Sequence, residues 1–134
     1  MTNFLLGNIM IRPFITVENR AQEALDFYRS VFPTFSLVSL QHHATPHDNL
    51  VQLAVFSLQG HELMISDSFV SHEWSITPGV SLFMSLTSKD ELQSLANALA
   101  VDGTTHMPAG SYGFSTFFAW VEDRFGVNWQ LNVE

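Results

Sequence analysis

The chain has 134 residues, 46% of them apolar and only 13% charged, with twelve Phe and no Cys. That length suits one ordinary domain, and that mix excludes disorder, collagen and coiled coil. Five Lys plus Arg against thirteen Asp plus Glu give a formal charge of −8, which leaves no cation cluster for nucleic acid or an anionic membrane surface.

Without Cys there is no disulfide scaffold, thiolate metal site or Cys nucleophile. The opening MTNFLLGNIM lacks a basic n-region, a continuous apolar core and a small-residue cleavage site. No apolar run approaches the ~18 residues of a membrane span. A cytoplasmic domain is expected.

In chain order, a first strand is expected over Ile9–Val17. A helix follows Asn19, because Ala21, Ala24, Leu25, Tyr28, Val31 and Phe32 form one apolar stripe. Asn19 with Gln22 resembles a capping box, and Pro33 ends the helix. Strands are expected over Thr34–Gln41, Leu50–Leu58, Glu62–Asp67 and Val80–Leu86, all rich in β-branched and aromatic residues. Ser88 with Glu91 is a second capping box, opening a helix that presents Leu92, Leu95, Ala96 and Leu99 on one face and stops before Gly103. Strands over Thr104–His106, Ser115–Glu122 and Val127–Val133 complete the chain. Gln59-Gly60, Pro78-Gly79, the Gly110–Gly113 segment and Arg124-Phe125-Gly126 supply turn chemistry between them.

The order is β-α-β-β-β twice over, an α+β class in one domain over 1–134, with module one about 9–67 and module two about 79–134. An internal repeat supports the division. Gly60-His61-Glu62-Leu63-Met64-Ile65 overlies Gly126-Val127-Asn128-Trp129-Gln130-Leu131 at an offset of 126 − 60 = 66. Ile11 to Val17 overlies Val80 to Leu86 at 80 − 11 = 69, with apolar residues matching at alternate positions.

Three stretches carry a family resemblance. These are Arg12-Pro13-Phe14 through Ala24-Leu25-Asp26-Phe27-Tyr28, then Gly60 to Asp67, and Asp123-Arg124-Phe125-Gly126-Val127-Asn128-Trp129-Gln130. Together they resemble the PhnB-like branch, also called 3-demethylubiquinone-9 3-methyltransferase-like, of the vicinal oxygen chelate superfamily, which includes glyoxalases and bleomycin-resistance proteins. The resemblance implies two paired β-α-β-β-β modules that form a cup, with helices outside and ligand or metal on the concave side. It also implies a homodimer. The methyltransferase label finds no support in the residues. A Rossmann-type cofactor site needs a Gly-rich turn, whereas Gly7, Gly60, Gly79, Gly103, Gly110, Gly113 and Gly126 form no G-x-G.

Strand alternation then assigns faces. Leu63, Ile65, Leu82, Met84, Leu86, Trp129, Leu131 and Val133 belong under the helices. The opposite parity places Arg12, Phe14, Thr16, Glu62, Met64, Ser81, Phe83, Asn128 and Gln130 on the concave side, as candidate ligand-binding residues. Phe and Met among a few polar groups is how a small-molecule site looks; a polar, water-facing sheet is the plain alternative.

The superfamily's metalloenzymes carry ligands at positions that map to Arg12 (or Pro13), Met64, Ser81 and Gln130. Only Gln130 among them suits a hard or borderline divalent ion, so no metal and no cofactor is expected. His42, His43, His47, His61 and His72 read as exposed loop or strand-end residues. Glu62, Asp67 and Glu122 are candidate general bases and His106 a candidate acid/base group, with Glu62 also placed to pair with Arg12. Asp67 and Asp123 read as turn-ordering residues. Tyr112 and Trp74 are expected in loops that lid a pocket or pack on a sheet edge. The expected function is metal-independent binding of a small, partly apolar molecule. The alternative is an isomerase, lyase or transferase on the same cup, with Arg12 facing an oxyanion. The expected partners are the small molecule and a second copy of the chain, not nucleic acid or membrane.

Overall fold

The structure, a computed structural model, describes residues 10–134. It has α+β architecture with two compact units, Met1–Ser71 and His72–Glu134. The first contains β1 (Phe14–Glu18), α1 (Ala21–Val31), β2 (Ser36–His42), β3 (Val51–Leu58) and β4 (His61–Ser68). The second contains β5 (Leu82–Leu86), α2 (Lys89–Leu99), β6 (Thr104–Tyr112), β7 (Ser115–Glu122) and β8 (Asn128–Val133). Each unit folds into one four-stranded mixed sheet, ordered β1-β4-β3-β2 and β5-β8-β7-β6. The first strand of each unit runs parallel to its last, and the remaining pairs are antiparallel.

The repeat read from the sequence reappears in the register. Phe14 lies beside Met64 in the first sheet, and Phe83 lies beside Gln130 in the second. These pairs differ by 83 − 14 = 69 and 130 − 64 = 66, the two offsets of the sequence overlay.

Helix α1 buries Ala21, Ala24, Leu25 and Tyr28. Tyr28 stacks on Phe56 at 5.8 Å, and Phe56 is the register partner of Leu63. The helix therefore covers the Leu63–Ile65 face, as alternation requires. Helix α2 buries Leu92, Ala96 and Leu99 on its sheet, where Val121, Trp129 and Leu131 are also buried.

The two helix starts differ. Ser88 accepts from the Glu91 amide at 3.0 Å, the expected cap. Asn19 does not cap α1: it adopts φ 60°, and the helix begins after Arg20 with no side-chain cap of its own. The Asp67 carboxylate, from the end of β4, accepts the Arg20 and Ala21 amides at 2.8 and 2.9 Å instead. Gln22 is spent on Asp26 at 3.1 Å.

Two strand boundaries move by more than two residues. The expected start of β1 at Ile9 lies outside the described residues, and the strand proper begins after Pro13, whose carbonyl accepts the Met64 amide. Strand β6 runs past His106 to Tyr112. Gly110 belongs to the expected turn segment, but β6 is an edge strand with three register shifts, where the donor missing at Pro108 and a bulge are tolerated. Tyr112 is thus a strand residue, donating to the Pro108 carbonyl at 2.6 Å, not part of a lid loop. Trp74 is exposed and stacks on His72 at 4.2 Å. Among the described residues no helix is long and apolar enough to cross a membrane.

Candidate functional site

Each sheet has one face under its helix and one open face. On the first open face, β1 and β4 set Phe14 beside Met64 and Thr16 beside Ser66. Phe14 is 55% exposed, a large apolar ring that burial has not claimed. Just ahead of the strand, Arg12 Nη1 donates to Glu62 Oε1 at 2.9 Å, with both side chains about one-third exposed. The sequence candidates Arg12, Phe14, Thr16, Glu62 and Met64 therefore come together on one surface. Glu62 is paired with the guanidinium, the alternative to a free base that its position allowed.

On the second open face, Phe83 is 60% exposed and lies beside Gln130. Gln130 Nε2 donates to Ser81 Oγ at 3.2 Å. Ser81, Phe83 and Gln130 are thus one cluster. Asn128 shares their parity but is 1% exposed. Its amide nitrogen donates to the Gly126 carbonyl at 3.2 Å and to Glu122 Oε1 at 3.4 Å, and its oxygen accepts the Trp120 indole N–H at 2.9 Å. With both ends of its amide engaged, Asn128 positions neighbours and does not offer itself to a ligand.

His106 faces the same network. Its Nε2 lies 3.1 Å from Glu122 Oε1, and its ring sits 5.0 Å from that of Trp120. Sequence reasoning missed Glu122 and Trp120 as its partners. The missing signal was the full length of β6, since a strand ending at His106 leaves the β6–β7 register undefined.

Asp67 and Asp123 are structural. Asp67 also accepts the Val51 amide at 3.0 Å, so it ties the start of α1 to the start of β3 rather than ordering the turn after β4. Asp123 accepts the Phe125 and Val127 amides and the Trp129 indole N–H, at 2.9, 3.1 and 2.9 Å. Among the remaining histidines, His43 is not an exposed loop residue. Its Nε2 meets the Asp67 carbonyl at 2.8 Å, and both His43 and His47 pack on Phe69. His42 and His61 are exposed.

The four positions where the resemblance places metal ligands do not fit a divalent ion. Arg12 brings a cation already paired with Glu62, Met64 a soft thioether, and Ser81 a hydroxyl bonded to Gln130. Among the described residues no three His, Cys, Asp or Glu side chains cluster so as to hold one.

The profile of the 3-demethylubiquinone-9 3-methyltransferase family matches residues 9–132. A solved structure from Bacillus cereus, described as a putative 3-demethylubiquinone-9 3-methyltransferase, PhnB protein, is 37% identical. It aligns over 92% of this chain and 98% of its own, with a TM-score of 0.87. A Pseudomonas aeruginosa protein is 26% identical over 94% of this chain and 98% of its own, with a TM-score of 0.82. A glyoxalase/bleomycin resistance protein from Albidiferax ferrireducens shares the fold at 15% identity and a TM-score of 0.64, over 94% and 98% of the two chains. Among curated proteins, none matches the chain. The fold is thus that of the glyoxalase/bleomycin-resistance group. Within it, this chain belongs to the PhnB-like, 3-demethylubiquinone-9 3-methyltransferase family.

Proposed function

We propose that this protein binds a small, partly apolar molecule on its open sheet faces, in the cytoplasm and without a metal. The observation that carries this reading is an exposed Phe on each open face beside a polar pair: Phe14 near Arg12–Glu62, and Phe83 near Ser81–Gln130. An apolar ring flanked by a few directional groups gives affinity through burial and orientation through hydrogen bonds. Water-facing sheet residues alone do not require Phe at these places. The family's methyltransferase label is not adopted as chemistry, because each sheet has four mixed strands and neither is the parallel nucleotide-binding kind.

Arg12 favours an acidic group on the ligand. Glu62 engages only one of its terminal nitrogens, leaving donors that can grip a carboxylate. Arg12→Ala is expected to weaken binding of benzoate, an aromatic carboxylate that can lie on Phe14 and Met64, by at least about tenfold. Stability should fall by less than ~1 kcal/mol, since the ion pair is partly exposed. Calorimetric titration checks this, and equal affinity for the two proteins overturns the assignment.

We also propose a homodimer. Strands β1 and β5 each end their sheet, and Ile11 and Val80 expose apolar surface just before them, apart from the Phe14 and Phe83 rings of the open faces. A second copy covering these edges removes that surface from water. Sedimentation at low micromolar concentration should give twice the chain mass. A species of single-chain mass contradicts the dimer.

A further inference from the structure

We propose that His106 is a proton-accepting catalytic residue on the second open face, acting on an uncharged carbon acid held against Trp120. The proposal goes beyond ligand binding but rests on that face being a binding surface. It stands on four side chains. The 3.1 Å contact to Glu122 Oε1 assigns the proton to His106 Nε2 within this proposal, because a carboxylate oxygen there is an acceptor. In the neutral ring the lone pair is then on Nδ1, which has no hydrogen-bond partner among the described residues. The imidazole is a directed base.

The carboxylate is itself held. Asn128, sealed at 1% exposure, donates to the same Glu122 oxygen and is fixed in turn by the Trp120 indole N–H and the Gly126 carbonyl. A buried amide whose donors and acceptor are all engaged has one orientation, and it transmits that orientation to Glu122. The backbone adds a further observation. The β6–β7 register shifts between Thr105 and Met107, so His106 is the residue that leaves the ladder. Such bulges re-aim a side chain, here onto Glu122 and beside Trp120.

Substrate charge follows from the surroundings. Strands β5 to β8 contain no Lys or Arg, the nearby Arg124 is paired with Asp102, and the charge in contact with His106 is the Glu122 carboxylate. An anion is repelled and an uncharged ligand with a flat apolar face is accepted, stacking on Trp120. In the step, the carbon–hydrogen bond breaks and its proton moves to Nδ1. The electron pair stays on the substrate or expels a leaving group from it. The resulting imidazolium faces the carboxylate, which is where the charge is stabilised.

The probe is 5-nitrobenzisoxazole, an uncharged aromatic carbon acid. Loss of its ring proton to a base forms the nitrile and breaks the nitrogen–oxygen bond, releasing a coloured phenolate. The full-length protein should open this ring with saturation kinetics, at a kcat/KM about 100-fold above that of His106→Gln. Glu122→Gln should lower kcat about tenfold and leave KM unchanged, a split that a purely structural role would not produce. Nitrogen-detected NMR should find His106 protonated on Nε2 with Nδ1 free. Quenching of indole fluorescence, lost in Trp120→Leu, reports probe binding separately. Quenching without turnover overturns the catalytic role and leaves the binding reading intact. A rate unchanged in His106→Gln, or a ring protonated on Nδ1, overturns the proposal outright. No quenching and no turnover overturns both it and the binding role of this face.

Discussion

Asp67→Ala is expected to lower stability by about 3–5 kcal/mol, a fall in Tm of roughly 10–20 °C for a chain of this size. The carboxylate is 3% exposed and accepts three backbone N–H groups, from Arg20, Ala21 and Val51. Two of these are orphan donors at the start of α1, where no residue of the helix supplies a cap. Alanine leaves all three without this partner, two of them (Ala21 and Val51) buried, and each buried unpaired donor costs about 1–3 kcal/mol. Asp67→Asn separates the contributions. Its oxygen can keep the Arg20 and Ala21 amides, while its NH2 is set against the Val51 N–H, so roughly half the loss should remain. Thermal unfolding by circular dichroism measures both. A change below 1 °C in Asp67→Ala would contradict the role assigned to this residue.

The second large effect is expected at Asp123. Its carboxylate is 2% exposed, accepts the Phe125 and Val127 amides through Oδ1, and accepts the Trp129 indole N–H through Oδ2. The first two bonds close the turn at Gly126, whose φ of 89° is a left-handed conformation that favours glycine. The third fixes Trp129, one of the largest fully buried side chains of the second unit. Asp123→Ala should cost about 3–4 kcal/mol and disturb both the turn and the indole. Denaturant unfolding followed by Trp fluorescence tests this. The variant should unfold at markedly lower denaturant, and its folded-state emission should shift to the red as water reaches the indole. An unchanged midpoint and unchanged emission would contradict the account.

Both residues were legible in the sequence as structural carboxylates, but only Asp123 was legible in its particulars. The Asp123–Gly126 turn is local, so turn chemistry identifies it. Asp67 reaches 47 residues back to Arg20, and no local pattern announces that contact. The same distinction runs through the fold. Apolar spacing locates α1 and α2, and the two overlay offsets match Phe14 with Phe83 and Met64 with Gln130, whereas the pairing that sets Phe14 by Met64 and Phe83 by Gln130 is a property of the sheets. The α1 cap failed as a reading because Asn19 took a left-handed turn and a distant carboxylate replaced it. Strand β6 extends beyond the expected Thr104–His106 because Pro108 and the turn-forming Gly110 are tolerated on an edge, and edge position is a property of the sheet, not of the segment.

For the candidate site, parity places Ser81 with Gln130, and parity with the module overlay places Arg12 with Glu62, pairs that the structure joins by hydrogen bonds. Parity says nothing of depth, however. Asn128 has the parity of a ligand contact but is sealed behind Trp120 and Glu122. His106 is legible as a candidate but its partners are not, since Glu122 sits 16 residues away on a strand whose register the sequence leaves undefined.

Metal analysis of the protein purified without chelator and without added metal bears most directly on the central claim, binding at the open faces without a metal. The account predicts far less than one Zn, Ni, Fe or Mn per chain, because Arg12, Met64 and Ser81 supply a paired cation, a thioether and a hydrogen-bonded hydroxyl where ligands would be needed. About one such ion per chain, lost when Gln130 is replaced by Ala, would contradict it.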